Sequence, residues 1–375
     1  MKKVRFGVIG AGVMGEGHIK TLKQIENCEV TAVCDISQER LKKLGEEQVV
    51  SSETTLFSEY EKLIDSGLCD AIAITTPHTS HLKIAEYAFK NKLHVMCDKP
   101  IAVTLSEADM ILEAWRKAET KFSTMYSMRT TSINKVIKEW MDKGKLGKIR
   151  RADMVCTKWL RTQKYFDCQS WRGTWNGEGG GLLMNQAPHN LDLLYWWFGE
   201  AQSVQAEVSS RFHEIETEDE VNAVIFTKTG FPIRFYANTA EAPGIDRVEI
   251  VGDKGTLTRE NDKLIFFKLA EDLDEVVRKS EEPFATIESE SVEIEIPDIP
   301  RGHKVVFESF IDSIISGAPN EEMVAPGNEG IHAVEWANAM LFSSIKQQKA
   351  NLPLNRVEYD ELLTELRTKK ISLTK

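Results

Sequence analysis

Val4 to Ile9 is a short, nearly continuous apolar run that breaks at Gly10-Ala11-Gly12-Val13-Met14-Gly15, after which a helix-spaced pattern continues to Ile25. A run of that length reads as a buried strand, and the change of period behind it predicts a helix. The alternation then repeats. Glu29 to Cys34 and Ala71 to Thr75 read as strands, Thr79 to Lys90 as a helix, His94 to Cys97 as a strand and Leu105 to Ala118 as a helix. Strands and helices in turn predict a parallel sheet with helices on both faces, binding its ligand at the carboxyl ends of the strands.

Beyond Ser203 the period changes to two. Val221 to Phe226, Ile233 to Tyr236, Val248 to Val251, Leu264 to Phe267 and Val292 to Ile296 alternate in the manner of antiparallel strands with one covered face. Two late helical patterns, His303 to Ser316 and Gly327 to Lys346, are expected to cover that sheet. The acidic stretch Glu288 to Ile296 reads as a solvated face. The turn-rich segment Ala240 to Arg247 is open to two readings, a substrate contact or a subunit contact. The chain of 375 residues exceeds what one core usually serves. We divide it into a nucleotide domain, residues 1–124, and a second α/β domain, residues 125–375.

The glycine turn carries the first candidate chemistry. It sits between a strand and a helix, the context in which Gly10 makes the tight turn, Gly12 admits a pyrophosphate and Gly15 lets helix and strand approach, with Val13 and Met14 offering first-turn N–H groups. Asp35 ends the next strand 20 residues after Gly15. At that spacing a carboxylate bonds the ribose hydroxyls and repels an added 2′-phosphate, so NAD is favoured over NADP. Arg40, five residues on, is the group a 2′-phosphate would recruit. Further cofactor contacts are expected from Thr75, Thr76, Pro77 and His81 after one strand, and from Asp98 and Lys99 after the next. Lys99 would point into the nicotinamide cleft, where partial desolvation suits a lysine to proton transfer; a surface lysine at a strand exit is the plainer alternative. A cis bond to Pro100 is expected there.

The second candidate is the stretch Gly177 to Phe198, a strip of glycine that we read as flexible, leading into a buried helix from Pro188. His189 falls in the first turn, whose positive end disfavours an imidazolium and suits a base near neutral pH; a capping histidine is the alternative. Between residues 159 and 175, Trp171, Arg172 and Trp175 border the strip and pair aromatic faces with a polar group, as a sugar ring requires.

Together these segments resemble the glucose-fructose oxidoreductase, inositol dehydrogenase and MocA (Gfo/Idh/MocA) family. The resemblance runs from about Val4 to about Leu354, and Phe122 to Arg129 followed by Val136 to Ile149 looks like the family's crossing between domains. It implies a Rossmann domain followed by an α/β domain with a large, mostly antiparallel, open-faced sheet. It also implies oxidation or reduction of a sugar or cyclitol carbon, with Lys99 and His189 as proton-handling groups. Two residues depart from the pattern: Asp98 replaces the family's usual Glu, and Asn185 replaces a frequent Asp. Asn185 is assigned to a substrate hydroxyl, and Asp192 is included among the substrate contacts. A dinucleotide-binding sugar sensor and an NAD-dependent glycoside hydrolase are the competing functions on such a fold.

Composition narrows the partners. A net charge of −11 argues against nucleic acid or an anionic membrane as the main partner. The cysteines lack zinc spacing and read as reduced thiols, so no metal site and a cytoplasmic location are expected. An open sheet face points to a homodimer or homotetramer, with Phe235 or Phe266 as outward positions.

Overall fold

The computed structural model describes residues 3–369 and 371–373, which form two compact units: Met1–Thr131 with Pro300–Val334, and Ser132–Ile299 with Glu335–Lys375. In the first unit, β1 (Val4–Ile9), β2 (Cys28–Cys34), β3 (Thr55–Phe57), β4 (Ala71–Ile74), β5 (His94–Cys97) and β6 (Phe122–Thr124) lie in the order β3-β2-β1-β4-β5-β6, every pair parallel. This is the doubly wound order whose direction reverses beside β1. The central strands are buried on both faces, which is why they read as continuous apolar runs and not as alternation.

The second sheet uses β7 (Ile149–Cys156), β8 (Ala201–Ser209), β9 (Glu220–Thr227), β10 (Pro232–Asn238), β11 (Asp246–Gly252), β12 (Gly255–Glu260), β13 (Lys263–Leu269), β14 (Ser289–Glu293) and β15 (Ala350–Asn351). Its order is β14-β13-β12-β11-β7-β10-β9-β8-β15, antiparallel except for β7 with β10. Helices Ser132–Asp142 and Pro188–Phe198 pack together on one face, where the Trp197 indole donates to Asn134 O at 3.2 Å. The residues from Glu335 of the helix Gly330–Lys346 join them, with Ser343 and Ser344 accepting from the backbone of β8.

Three expectations need correction. The helix His303–Ser316 does not cover the second sheet. Phe307 and Phe310 make edge contacts with Phe6 of β1, at 6.0 and 6.1 Å, and the segment behind them bonds β6 through Ser123 and Thr124 to Ala325 O. Amphipathic spacing shows that a helix is buried but not against what. A single division near residue 124 therefore gives way to a first unit built from two stretches of chain. Phe235 and Phe266 are not outward residues either: Phe235 is fully buried, and Phe266 packs on Trp140 at 4.9 Å. On the open face the middle strands carry an ion-pair network of Arg151, Asp153, Arg234 and Glu249, and apolar surface appears at Ile265 and Phe267 of β13.

Among the described residues no helix is long and apolar enough to cross a membrane. The cysteines are unpaired, and all but Cys168 are buried. Because Phe307 is fully buried against β1, Phe307→Ala should cost roughly 3–5 kcal/mol in urea unfolding, whereas Val277→Ala on the exposed helix Leu273–Lys279 should stay within about 0.5 kcal/mol. Equal effects would show that the helix His303–Ser316 is not part of the first unit's core.

Candidate active site

In the first unit the glycine turn is shaped by close approach. Gly10 has φ +97°, and a Cβ on Gly15 would lie 1.8 Å from Gly10 O, so a side chain at either position would break the turn. The helix Val13–Leu22 that follows has no side chain capping its first N–H groups. Val13 and Ile36 are 90% and 92% exposed, and Met14 is also in solvent, which leaves apolar surface beside the turn for a flat ring. Gly12 lies under Arg40: a Cβ there would be 3.2 Å from Nη1. The cradle fits a dinucleotide, with donors for a pyrophosphate, a cation above them and apolar surface alongside.

Asp35 has a second task. Its two oxygens accept from Ala11 N at 2.6 Å and Ser37 N at 2.8 Å, so the carboxylate fixes the turn and has only its remaining lone pairs for a ribose. Several of the expected contacts are also bonded within the scaffold. The Thr75 hydroxyl donates to Gly10 O at 2.6 Å, and the Thr76 hydroxyl accepts from Ser80. Pro77 opens a short 3₁₀ turn. His81 is fully buried, with Nδ1 2.9 Å from Pro100 O and Nε2 2.9 Å from Thr76 O. Rather than touching a cofactor, it ties together the loops that leave β4 and β5. Lys99 leaves β5 half-buried, and its bond to Pro100 is cis as expected. Desolvation raises the Asp98 carboxyl above its ordinary range, against the pull of Lys99, His81 and His303.

The glycine strip of the second unit is clamped, not flexible. A Cβ on Gly181 would stand 2.1 Å from Glu218 O, so only glycine fits. Glu218 Oε1 accepts from Gly181 N at 2.9 Å and Leu183 N at 2.8 Å. Its other oxygen is buried with no hydrogen-bond partner among the described residues. Burial pushes this carboxyl up to about 7, more than its backbone donors pull it down, with Glu178 adding to the rise. Glu178, also buried, accepts from Gly173 N at 2.6 Å and from the Asn185 amide. Neither acid was singled out in the sequence.

Asn185 also accepts from Gln186 Nε2 at 3.3 Å, and the same nitrogen donates to Tyr165 OH at 3.3 Å. Pro188 opens the helix as expected and Gly199 closes it, which places half-buried His189 in the first turn. Trp171 and Arg172 stack at 4.4 Å and stay partly exposed. Trp175 does not join them: it is fully buried, its indole donating to Ile371 O at 2.7 Å, and it has no face left for a sugar. Asp192 is likewise buried on the core side of the helix, at 1% exposure. Of the residues expected to meet substrate, Asn185, His189, Trp171 and Arg172 keep partly exposed surface.

The Glu218 clamp has a signature in pH. A carboxyl raised when folded contributes stability that is complete below its ordinary range and lost as pH rises through about 7. Glu218→Gln keeps the Oε1 acceptor and cannot ionise. Its stability relative to wild type should therefore improve by up to roughly 3 kcal/mol between pH 5 and pH 8. Parallel profiles of melting temperature against pH would contradict the clamp.

Comparison with known proteins bears on both units. Residues 4–126 match the model of an oxidoreductase family with an NAD-binding Rossmann fold, and residues 135–258 match the model of the GFO/IDH/MocA C-terminal domain. Myo-inositol 2-dehydrogenase of Thermotoga maritima is 25% identical over 69% of this chain and 75% of its own. Glucose-6-phosphate 3-dehydrogenase of Bacillus subtilis is 25% identical over 60% and 62%. Among solved structures, the WlbA dehydrogenase of Bordetella pertussis, in complex with NADH and UDP-GlcNAcA, superimposes with a TM-score of 0.79 at 24% identity, covering 94% of this chain and all of that one. With a Rossmann unit, a C-terminal open-faced sheet and a matching family model on each, the chain belongs to the Gfo/Idh/MocA family of NAD(P)-binding oxidoreductases.

Proposed function

We propose that the protein is an NAD-dependent dehydrogenase acting on a carbinol carbon of a sugar, sugar derivative or cyclitol. The observation that carries this reading is the hydrogen-bonded row in the second unit, where Glu178 accepts from Asn185, Gln186 donates to Asn185 and Tyr165, and His189 follows four residues after Asn185. Such a row offers polar groups to hydroxyls beside the aromatic surface of Trp171. The relatives named above, which act on inositol and glucose 6-phosphate, support the substrate class. Asp35 at the end of β2 supports NAD; Arg40 over Gly12 is the feature that would admit NADP.

Bound nicotinamide supplies the hydride acceptor. The chain's own part is to hold the hydroxyl and remove its proton as the carbon gives up its hydride. His189 or Lys99 takes that proton, and Asn185 holds the hydroxyl. Asn185 is itself held by Glu178, so an aspartate at 185 would put two carboxylates in contact and force one to keep a proton.

A panel of hexoses, cyclitols, glycosides and sugar nucleotides should yield reduced nicotinamide with at least one member. His189→Ala or Lys99→Met should lower turnover by a factor on the order of 10² to 10⁴ while cofactor binding persists. Asn185→Ala should act mainly on KM, by about 1–3 kcal/mol. Full turnover in both His189→Ala and Lys99→Met would remove the proton-handling assignment, and glycoside cleavage without net reduction would replace the reaction.

We further propose a homodimer or homotetramer joined through the open face of the second sheet, on the strength of the ion-pair network and the apolar residues of β13. Sedimentation at micromolar concentration should give a multiple of the 42.4 kDa chain mass, and a lone 42.4 kDa species would count against assembly.

A further inference from the structure

Two guanidinium groups share one ring in the second unit. The Arg161 and Arg172 carbons lie 5.0 and 4.2 Å from the centroid of Tyr165, and Arg172 also stacks on Trp171 at 4.4 Å. The chain carries 58 acidic residues against 47 basic ones, so a partly exposed arginine has many carboxylates to choose from. Among the described residues, neither of these has taken one. Arg161 donates to Leu160 O at 3.1 Å and Arg172 to the Tyr165 hydroxyl, both uncharged acceptors. The Nε–H of each is buried with no acceptor.

That arrangement is costly as it stands. A buried donor without an acceptor gives up its water for nothing, and two like charges held at one ring repel. If the stack served only to stiffen the loop, the Nε–H groups would gain most from facing water or a carboxylate of the chain. An external oxyanion answers the repulsion, because the outer N–H groups of the two guanidiniums can pair with the oxygens of a carboxylate or phosphate and cancel the charge. The position is specific too. Tyr165 OH takes a hydrogen bond from Gln186, which bonds Asn185 in turn, so the ring that the pair shares is two hydrogen bonds from the Asn185 amide.

We propose that Arg161 and Arg172 form an anion subsite and that the sugar taken by this protein bears an oxyanion, either a carboxylate or a phosphate. This rests on the reading of the second unit as the sugar-binding half. It narrows that reading from sugars in general to acidic or phosphorylated ones. Arg161 and Arg172 set specificity; the proton is handled elsewhere.

The test measures binding to the full-length protein, by calorimetry with NADH present, of matched sets of sugars. Each set holds a neutral hexose, its hexuronate and its 6-phosphate, in the gluco, galacto and manno configurations. In at least one set an anionic member should bind tenfold or more tighter than its neutral parent. Which of the two does so tells carboxylate from phosphate. The double variant Arg161→Gln, Arg172→Gln should close that gap. The pair Arg161→Lys, Arg172→Lys keeps the charge but loses the fork, and should leave only part of the gap; it is the variant to read if the glutamine pair does not fold. Equal affinities throughout every set, or a gap that survives in the double variants, overturns the subsite. An arginine-dependent gap with no reduced nicotinamide from any sugar would keep the subsite and reject the dehydrogenase. Reduced nicotinamide formed from a sugar, with equal affinities for the neutral and anionic members of every set, would do the reverse.

Discussion

The second unit depends on one buried carboxyl, that of Glu218, accepting from Gly181 and Leu183 where a Cβ on Gly181 would stand only 2.1 Å from Glu218 O. The residues that we propose to hold the hydroxyl and its proton in this unit, Asn185 and His189, hang from that strip. Glu178 lies within it and fixes Asn185, and the turn after it starts the helix that carries His189. Two buried acids in one small region are expensive. Several backbone donors and a carboxyl that stays largely protonated below neutral pH offset the cost. A site that must hold an imidazole and an amide in fixed places gains from such rigidity.

The first unit obtains rigidity by another route. Its turn is tied by Asp35 to Ala11 and by Thr75 to Gly10, while buried His81 spans the loops after β4 and β5. Residues that a motif reading assigns to the cofactor thus spend part or all of their polar capacity on the scaffold. Gly12 under Arg40 and the exposed side chains of Val13, Met14 and Ile36 stay open beside the turn.

What could be read from the sequence was local. Strand, glycine turn, helix and a carboxylate 20 residues on are adjacent in the chain, and the bounds of β5 and of the helices Leu105–Ala118 and His303–Ser316 follow from apolar spacing alone. What could not be read was which surface meets which. His303–Ser316 is amphipathic whichever sheet it covers, and it packs on β1. Trp171 and Trp175 lie four residues apart with the same composition around them, yet one is at the surface and the other in the core. The run Glu216 to Glu220 has the composition of a solvated loop; Glu218 and Asp219 are fully buried because backbone N–H groups come to them. Side-chain type gives no sign of that.

The central claim is a hydride taken from a sugar carbon by a chain that moves the accompanying proton itself. It is tested most directly by mass spectrometry of the nicotinamide recovered after incubation with NAD and a mixture of carbon-deuterated hexoses, hexuronates and cyclitols. The account predicts reduced nicotinamide carrying one deuterium, formed in equal amount to the one sugar consumed. Sugar bound or cleaved with the nicotinamide left unlabelled would contradict it.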